Sequence, residues 1–506
     1  MSAAAASPEL VPCIVDNKPF ATPSSFPLVD PQDRKTILHN VATLPATSVG
    51  DVVASSRRAF EAWRDTPLKE RRKLLHKAAA LFEERIPELI QIEASETTAS
   101  AGFAAFDVGY LAADAINETP NSMAAALRGE MAPADASGKR MLVTREPLGC
   151  VLSIVPWNAP STLCMRAIVN PLAAGNVVVL KTSEHSPKIH SAIARVFIDA
   201  GLPAGVLNVI HVSPQDAPAV TKALIEEEFV RKVNFTGSTR IGRIIARLCA
   251  ENLKPVVLEL GGKAPVIVTQ EADIAVAANN VVFGSLINQG QVCMSTANVI
   301  VHKSVRAEFE AAVQAIFASQ GALLTASAKR NSAGAPDAKD HRLRALFTTS
   351  SADRVKALYD DAISGGAQIV AGQPGFDLDL GVVQPVLLRG SEKMKIFREE
   401  AFAPLVGLFE YETDDEAIRM ANAPGAGLSS SIFCGDETKA WKLARRIESG
   451  AVHINAPSVH DDHFVPHGGF KTSGYGRFNG VDGVREFTLQ KTVTFSPGTQ
   501  IPFFIM

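Results

Sequence analysis

An α/β fold with parallel sheets follows from three features of the sequence. Short apolar runs begin at Met141 and recur with helical segments between them: CVLSIVPW, NVVVLK, LNVIHV, KVNFTG, PVVLEL and PVIVT. A second series follows Cys293: ANVIVH, AQIVAG, VQPVLL, LVGLFEY and SSSIFCG. The 506-residue chain is 46% hydrophobic and 20% charged, which is ordinary for a globular protein with a large core. Strands alternating with helices at this spacing build parallel sheets by crossover connection.

The segments divide in order. The first 50 residues are rich in Pro and Ser and predict an irregular arm with short strands such as Pro12 to Val15. Asp51 to about Glu118 carries helical periodicity and predicts helices that pack on a later sheet. Ala326 to Asp340 is polar and rich in small residues, and predicts a surface loop. At roughly 100–200 residues per domain, the length allows two to four domains.

Composition excludes several classes. Lys+Arg is 50 and Asp+Glu is 53, a formal charge of −3, so no basic field exists to attract nucleic acid or an anionic membrane. Six cysteines without a CxxC or Cys/His cluster argue against a disulfide framework or a structural zinc site. Free thiols fit a reducing compartment. MSAAAASPEL lacks the pattern of a secretory signal, no apolar run approaches membrane-spanning length, and IPFFIM is not a peroxisomal address. The expectation is a cytoplasmic protein with no metal.

Five places carry chemistry. Cys293 lies in NQGQVCMST, where Gly290 and an N–H-rich turn can present a thiolate; a small buried apolar residue is the alternative. Glu259 ends the strand of VVLELGGKAP, where α/β proteins build their sites, and can serve as a general base; an exposed turn carboxylate is the alternative. Asn158 follows Pro156 and Trp157 at the end of a strand and offers an N–H to an oxyanion, or makes an Asx turn. Lys181 and Glu184 follow NVVVL and can hold ribose or phosphate oxygens; a charge pair with capping by Ser183 or Ser186 is the alternative. In VNFTGSTRIG, N–H groups near Gly237 and Ser238 can cradle pyrophosphate, although the run from Gly237 to Gly242 is not the GxGxxG fingerprint. Nucleophile, base, oxyanion donor and anion cradle together make the parts for thiol-based oxidation of a carbonyl.

These motifs resemble the aldehyde dehydrogenase superfamily, from about Pro19 to Phe495. PWNAP, NVVVLKTSE, FTGSTRIG, LELGGKAP, NQGQVC, EEAFAP and GGFKTSGYGR occur in family order, with Glu259 and Cys293 34 residues apart (293 − 259). The resemblance implies a Rossmann-like NAD-binding domain (1–128 and 149–261), an α/β catalytic domain (262–460) and a small β oligomerisation flap (129–148 and 480–506). It implies Cys293 as nucleophile, Glu259 as base and Asn158 as oxyanion donor. Pro156, Trp157, Lys181, Glu184, Gly237, Ser238, Gly242, Glu400 and Phe402 would serve the cofactor, NAD or NADP, with Glu184 favouring NAD. A homodimer or homotetramer is implied.

Two departures stand out: EEAFAP has Ala403 in place of Gly, and PHGG has His467 in place of an aromatic residue. His467 can bond a substrate hydroxyl, or simply replace one planar ring with another. PWNAPSTLCMRAIVNPLA and HDDHFVPHGGFKTSGYGRF are similar to salicylaldehyde, vanillin and benzaldehyde dehydrogenases, which places Arg166 near the pocket and makes an aromatic aldehyde the expected substrate. An aliphatic aldehyde or semialdehyde substrate, a CoA-acylating dehydrogenase, an inactive scaffold relative and a cysteine hydrolase are the competing readings.

Overall fold

The structure is a computed structural model, and it describes residues 8–133, 138–321, 323–328 and 342–498. The sequence-predicted strand runs form two large sheets. In the first, the order is Gly474–Tyr475, Val256–Glu259, Val230–Thr236, Cys150–Ile154, Val177–Lys181, Leu207–Ile210, Cys13–Val15 and Lys18–Phe20. The five central strands are parallel, and the three short outer strands pair antiparallel. The chain winds outward from Cys150–Ile154 to Leu207–Ile210, then returns to lay Val230–Thr236 on the other side. This reversal opens a crevice at the carboxyl ends of Cys150–Ile154 and Val230–Thr236, the place where doubly wound sheets bind ligands.

The second sheet has seven strands: Gln368–Gly372, Val386–Arg389, Leu405–Tyr411, Thr296–His302, Ala264–Val268, Ser429–Phe433 and Ala451–Ile454. All pairs are parallel except the first. A third, antiparallel sheet joins Glu130–Ala132, Arg140–Pro147 and Thr488–Phe495, with the last two paired over eight residues. Within Ala326 to Asp340, the polar segment from 329 onward lies outside the described residues, as does IPFFIM.

The expected helices cover Asp51 to Glu118, chiefly as Val49–Arg64, Leu68–Glu96 and Ala113–Ala126, with a π-helical turn at Asp107–Ala112. Helix Pro160–Ala173 is buried along its whole length. Its first N–H groups have no partners inside the helix; the Asp107 carboxylate accepts from Ser161 N (2.9 Å) and Thr162 N (3.3 Å). Helix Pro187–Asp199 is capped differently from the sequence expectation. Ser186 makes no side-chain cap, and Ser183 Oγ accepts from His185 N within the turn. The cap comes from Glu96, which accepts from Lys188 N and Ile189 N at 2.9 and 2.8 Å.

One chain segment links the two large sheets. Val256–Glu259 ends at the carboxyl edge of the first, and after four intervening residues Ala264–Val268 starts at the amino edge of the second. Cys293 lies just before Thr296–His302, also at an amino edge of the second sheet. The two sheets therefore present Glu259 and Cys293 to one another across a common gap. No helix among the described residues is long and apolar enough to cross a membrane.

Candidate active site

Local backbone geometry presents the thiol. Helix Ile274–Leu286 stops where Asn288, Gln289 and Gly290 adopt left-handed conformations, with φ of 47°, 57° and 71°. Gly262 allows the neighbouring strand to approach, because a Cβ there would overlap the Cys293 carbonyl oxygen. Asn158 holds the loop: its Nδ2 donates to Gln291 O at 3.0 Å, and Asn288 Nδ2 donates back to Asn158 O at 2.7 Å. Of the six cysteines, five are buried and Cys293 alone is not.

Cys293 Sγ donates to Glu259 Oε1 at 3.3 Å. The surrounding enclosure pushes the thiol up to about 12, partly offset by the nearby Arg166 guanidinium. The resting sulfur is thus protonated and in contact with a carboxylate. This differs from the expectation that turn N–H groups would stabilise a thiolate. Desolvation outweighs them.

Glu259 is almost fully buried (1% exposed) and sits in a charged cluster. Arg166 Nη2 contacts Glu259 Oε2, and His467 Nε2 lies 3.5 Å from Glu259 Oε1. On the far side Asp461 meets both partners: Arg166 Nη1 to Oδ2 at 3.4 Å, and His467 Nδ1 to Oδ1 at 3.6 Å. Asn479 Nδ2 donates to Asp461 Oδ1 at 2.7 Å. Burial pushes His467 down to about 4 against the pull of Asp461, so its ring is neutral at ordinary pH. Burial alone would raise Asp461, but His467, His463 and Arg166 outweigh it and hold the carboxyl down at about 2.

Above this cluster is a small cavity. Phe103, Phe106, Leu163, Ile287, Val292, Met294 and Val459 form its apolar wall, while Asn158, Arg166, Glu259, Cys293, Asp461 and His467 supply its polar groups. Five of the residues singled out from sequence therefore share one cavity. Asp461 was not among them, although it stands in the HDDHF run.

Most of the remaining candidates stand at or just after the carboxyl ends of Cys150–Ile154, Val177–Lys181 and Val230–Thr236. Lys181 is the last residue of its strand and is buried; desolvation lowers its ammonium against the attraction of Glu184. Trp157 packs on Phe347 at 4.3 Å between ring centroids and faces Phe402 at 6.1 Å. Phe347 also lies 4.8 Å from His185, and Arg34 holds its carbonyl at 2.6 Å. No sequence motif marked Phe347 or His185. Ser238 caps helix Thr239–Glu251 by accepting from Ile241 N at 3.4 Å. Gly242 lies in the first turn of that helix, where the Leu260 side chain fills the space a Cβ would take.

Glu400 accepts from Gly262 N at 3.0 Å, and a Cβ on Gly261 would overlap its carboxylate. Phe402 has a left-handed φ of 51°, whereas Ala403 beside it does not, so the methyl that replaces a glycine costs no backbone strain. Lys263 Nζ is buried without a hydrogen-bond partner among the described residues, and burial brings it down to about 7 against Glu399 and Glu400. An orphaned cation, a nearby carboxylate, aromatic walls and a crevice at strand ends fit a nicotinamide dinucleotide. Among the described residues no group of side chains could hold a metal ion.

A doubly wound sheet with such a crevice, joined to a second sheet that delivers a cysteine to its edge, defines a pyridine-nucleotide oxidoreductase that works on a carbonyl. The chain belongs to the aldehyde dehydrogenase family, whose model matches residues 20–493. It is 42% identical to a vanillin dehydrogenase of Pseudomonas fluorescens over 91% of this chain and 92% of that one. It is 39% identical to a salicylaldehyde dehydrogenase of Pseudomonas putida, over 94% and 98%. Among solved structures, a Pseudomonas putida salicylaldehyde dehydrogenase complexed with salicylaldehyde superimposes with a TM-score of 0.90 at 36% identity, covering 98% of this chain and 100% of that one. An NAD-dependent aldehyde dehydrogenase from Sinorhizobium meliloti gives 0.90 at 30% identity, over 98% and 97%. The protein is an aldehyde-oxidising oxidoreductase.

Proposed function

We propose that the protein oxidises an aromatic aldehyde to its carboxylic acid with NAD, through a thioester on Cys293. The observation that carries this reading is the 3.3 Å contact of Cys293 Sγ with Glu259 Oε1 at the base of an apolar cavity. Vanillin and salicylaldehyde dehydrogenases among the relatives support an aromatic substrate, as does the wall of Phe103 and Phe106.

The Cys293 thiol loses its proton to solvent and the sulfur bonds to the carbonyl carbon. Asn158 Nδ2 turns from Gln291 O toward the developing oxyanion, a contact worth about 10²–10³ in rate. The nicotinamide, when bound, supplies a hydride acceptor. Trp157, Lys181, Glu184, Glu400 and Phe402 would hold the dinucleotide, with Pro156, Gly237, Ser238 and Gly242 shaping the crevice. Glu184 favours NAD, since a carboxylate bonds a free 2′-hydroxyl and repels a 2′-phosphate. Glu259 then draws a proton from water, and the thioester is hydrolysed. Arg166 and His467 meet polar substituents on the substrate ring.

We assign residues 1–128 and 149–261 to the dinucleotide unit, 262–460 to the catalytic unit, and 129–148 with 480–506 to a flap that pairs subunits of a homodimer or homotetramer. Met131, Leu489 and Phe495 are 75%, 56% and 50% exposed on that small sheet, which suits a covered surface. Six unpaired cysteines suit a cytoplasmic setting.

An absorbance screen for NADH with aromatic, aliphatic and semialdehyde substrates tests the reading, with Cys293→Ala as control. Aromatic aldehydes should give the highest kcat/KM and the variant none. A preference for aliphatic aldehydes or semialdehydes would overturn the substrate class, and NADH formation that needs added CoA would overturn hydrolysis.

A further inference from the structure

Glu259 faces a difficulty as a base. Its carboxylate is buried, and Arg166 contacts it directly. In a desolvated pocket such an attraction is far stronger than in water. A carboxylate locked in a one-to-one ion pair resists taking a proton. The side chains around it are Cys293, His467 and Arg166, and His467 is uncharged at ordinary pH. Asp461 is the second anion. Its side chain is only 8% exposed, and it reaches the same guanidinium at 3.4 Å and the same imidazole at 3.6 Å. Asn479 fixes it there. One cation is thus shared between two carboxylates, and one neutral imidazole lies between them.

We propose that Asp461 is a positioning residue for the base, competing with Glu259 for Arg166 and His467 so that Glu259 stays free to take a proton from water. The inference rests on Glu259 being the base of the reaction above. The step it serves is hydrolysis of the acyl-enzyme. Water oxygen bonds to the thioester carbon while Glu259 accepts its proton. The C–S bond then breaks, and that proton passes to the departing sulfur, which releases the carboxylic acid and regenerates the Cys293 thiol. No electrons are exchanged. With an uncharged residue at 461, Arg166 turns wholly to Glu259 and this step slows. Sulfur addition is less affected, because Glu259 takes no proton in that step.

The test mixes NAD-saturated enzyme rapidly with benzaldehyde, quenches in acid, and follows the benzoyl adduct on Cys293 by intact mass. Asp461→Asn should acylate close to one site per subunit and then lose the acyl group about tenfold more slowly than the wild type, a part of the usual contribution of a general base. Asp461→Glu, which keeps the charge, should deacylate near the wild-type rate. Wild-type deacylation in Asp461→Asn, or failure of a folded Asp461→Asn to acylate, overturns the proposal. If Asp461→Asn does not fold, Asn479→Gly removes only the hydrogen bond to Asp461 and tolerates the left-handed φ of 64° at that position. Slower deacylation there supports the proposal and an unchanged rate overturns it. Glu259→Gln separates the two layers. If it deacylates normally, the base assignment fails; if it stalls while Asp461→Asn does not, only the role of Asp461 fails.

Discussion

Asn158 and Gln291 are tied across 133 positions of sequence by a 3.0 Å hydrogen bond, so the proposed oxyanion donor also anchors the loop that carries the nucleophile. The carbonyl that accepts this bond is two residues before Cys293. An oxyanion formed at Cys293 would compete with it for the same N–H.

Asn158→Ala should therefore lower kcat/KM by about 10²–10³, the usual cost of one oxyanion donor. The loop keeps the Gln291 Oε1 contact with Phe347 N at 2.9 Å, so alkylation of Cys293 by iodoacetamide should stay within a few-fold of wild type. Steady-state kinetics beside alkylation rates check this. An equal loss in both would show that Asn158 only shapes the loop.

Cofactor choice should follow Glu184. The wild type should favour NAD over NADP in kcat/KM, and Glu184→Gln should narrow the ratio by removing the charge that opposes a 2′-phosphate. Parallel titrations with both cofactors measure it. A wild-type preference for NADP would remove Glu184 from the ribose.

Phe347→Ala should weaken dinucleotide binding. The ring packs on Trp157 and His185 at the mouth of the crevice. An aromatic pair is worth about 0.5–1.5 kcal/mol, so KM for NAD should rise roughly 2- to 13-fold with kcat little changed. Initial rates against NAD concentration test this, and a fall in kcat alone would contradict it.

Glu93 and Asp107 form a buried carboxyl pair behind helix Pro160–Ala173. Ser161 Oγ donates to Glu93 Oε2 at 2.5 Å. Burial, reinforced by Asp107, holds Glu93 well above its ordinary 4.5, and burial brings Asp107 to about 6. Both values lie above those of the unfolded chain. The native state therefore binds more protons, and stability falls as pH rises above the ordinary carboxyl range. Glu93→Gln copies the protonated form. Its melting temperature should match wild type near pH 4 and exceed it increasingly toward pH 8. Thermal unfolding at several pH values checks this, and a gain confined to low pH would contradict it.

Much of the architecture was legible because it rests on local pattern. The apolar runs from Cys150 to Val268 became parallel strands in sequence-predicted places, and the motif residues Cys293, Glu259 and Asn158 came from strand ends and a loop. What stayed hidden depends on distance along the chain. Arg166 meets Asp461 across 295 positions, and Arg34 reaches Phe347 across 313, so neither pairing leaves a spacing to read. The Glu96 cap on helix Pro187–Asp199 was invisible for the same reason, since a nearby serine offered the simpler reading.

The covalent bond between Cys293 and the substrate carbon is the centre of the account. Mixing Glu259→Gln with NAD and benzaldehyde, quenching in acid and mapping the peptides should place one benzoyl group on the Cys293 peptide, with the five buried cysteines unmodified. NADH formed while Cys293 stays unmodified through the time course, or an acyl group on a different cysteine, would contradict it.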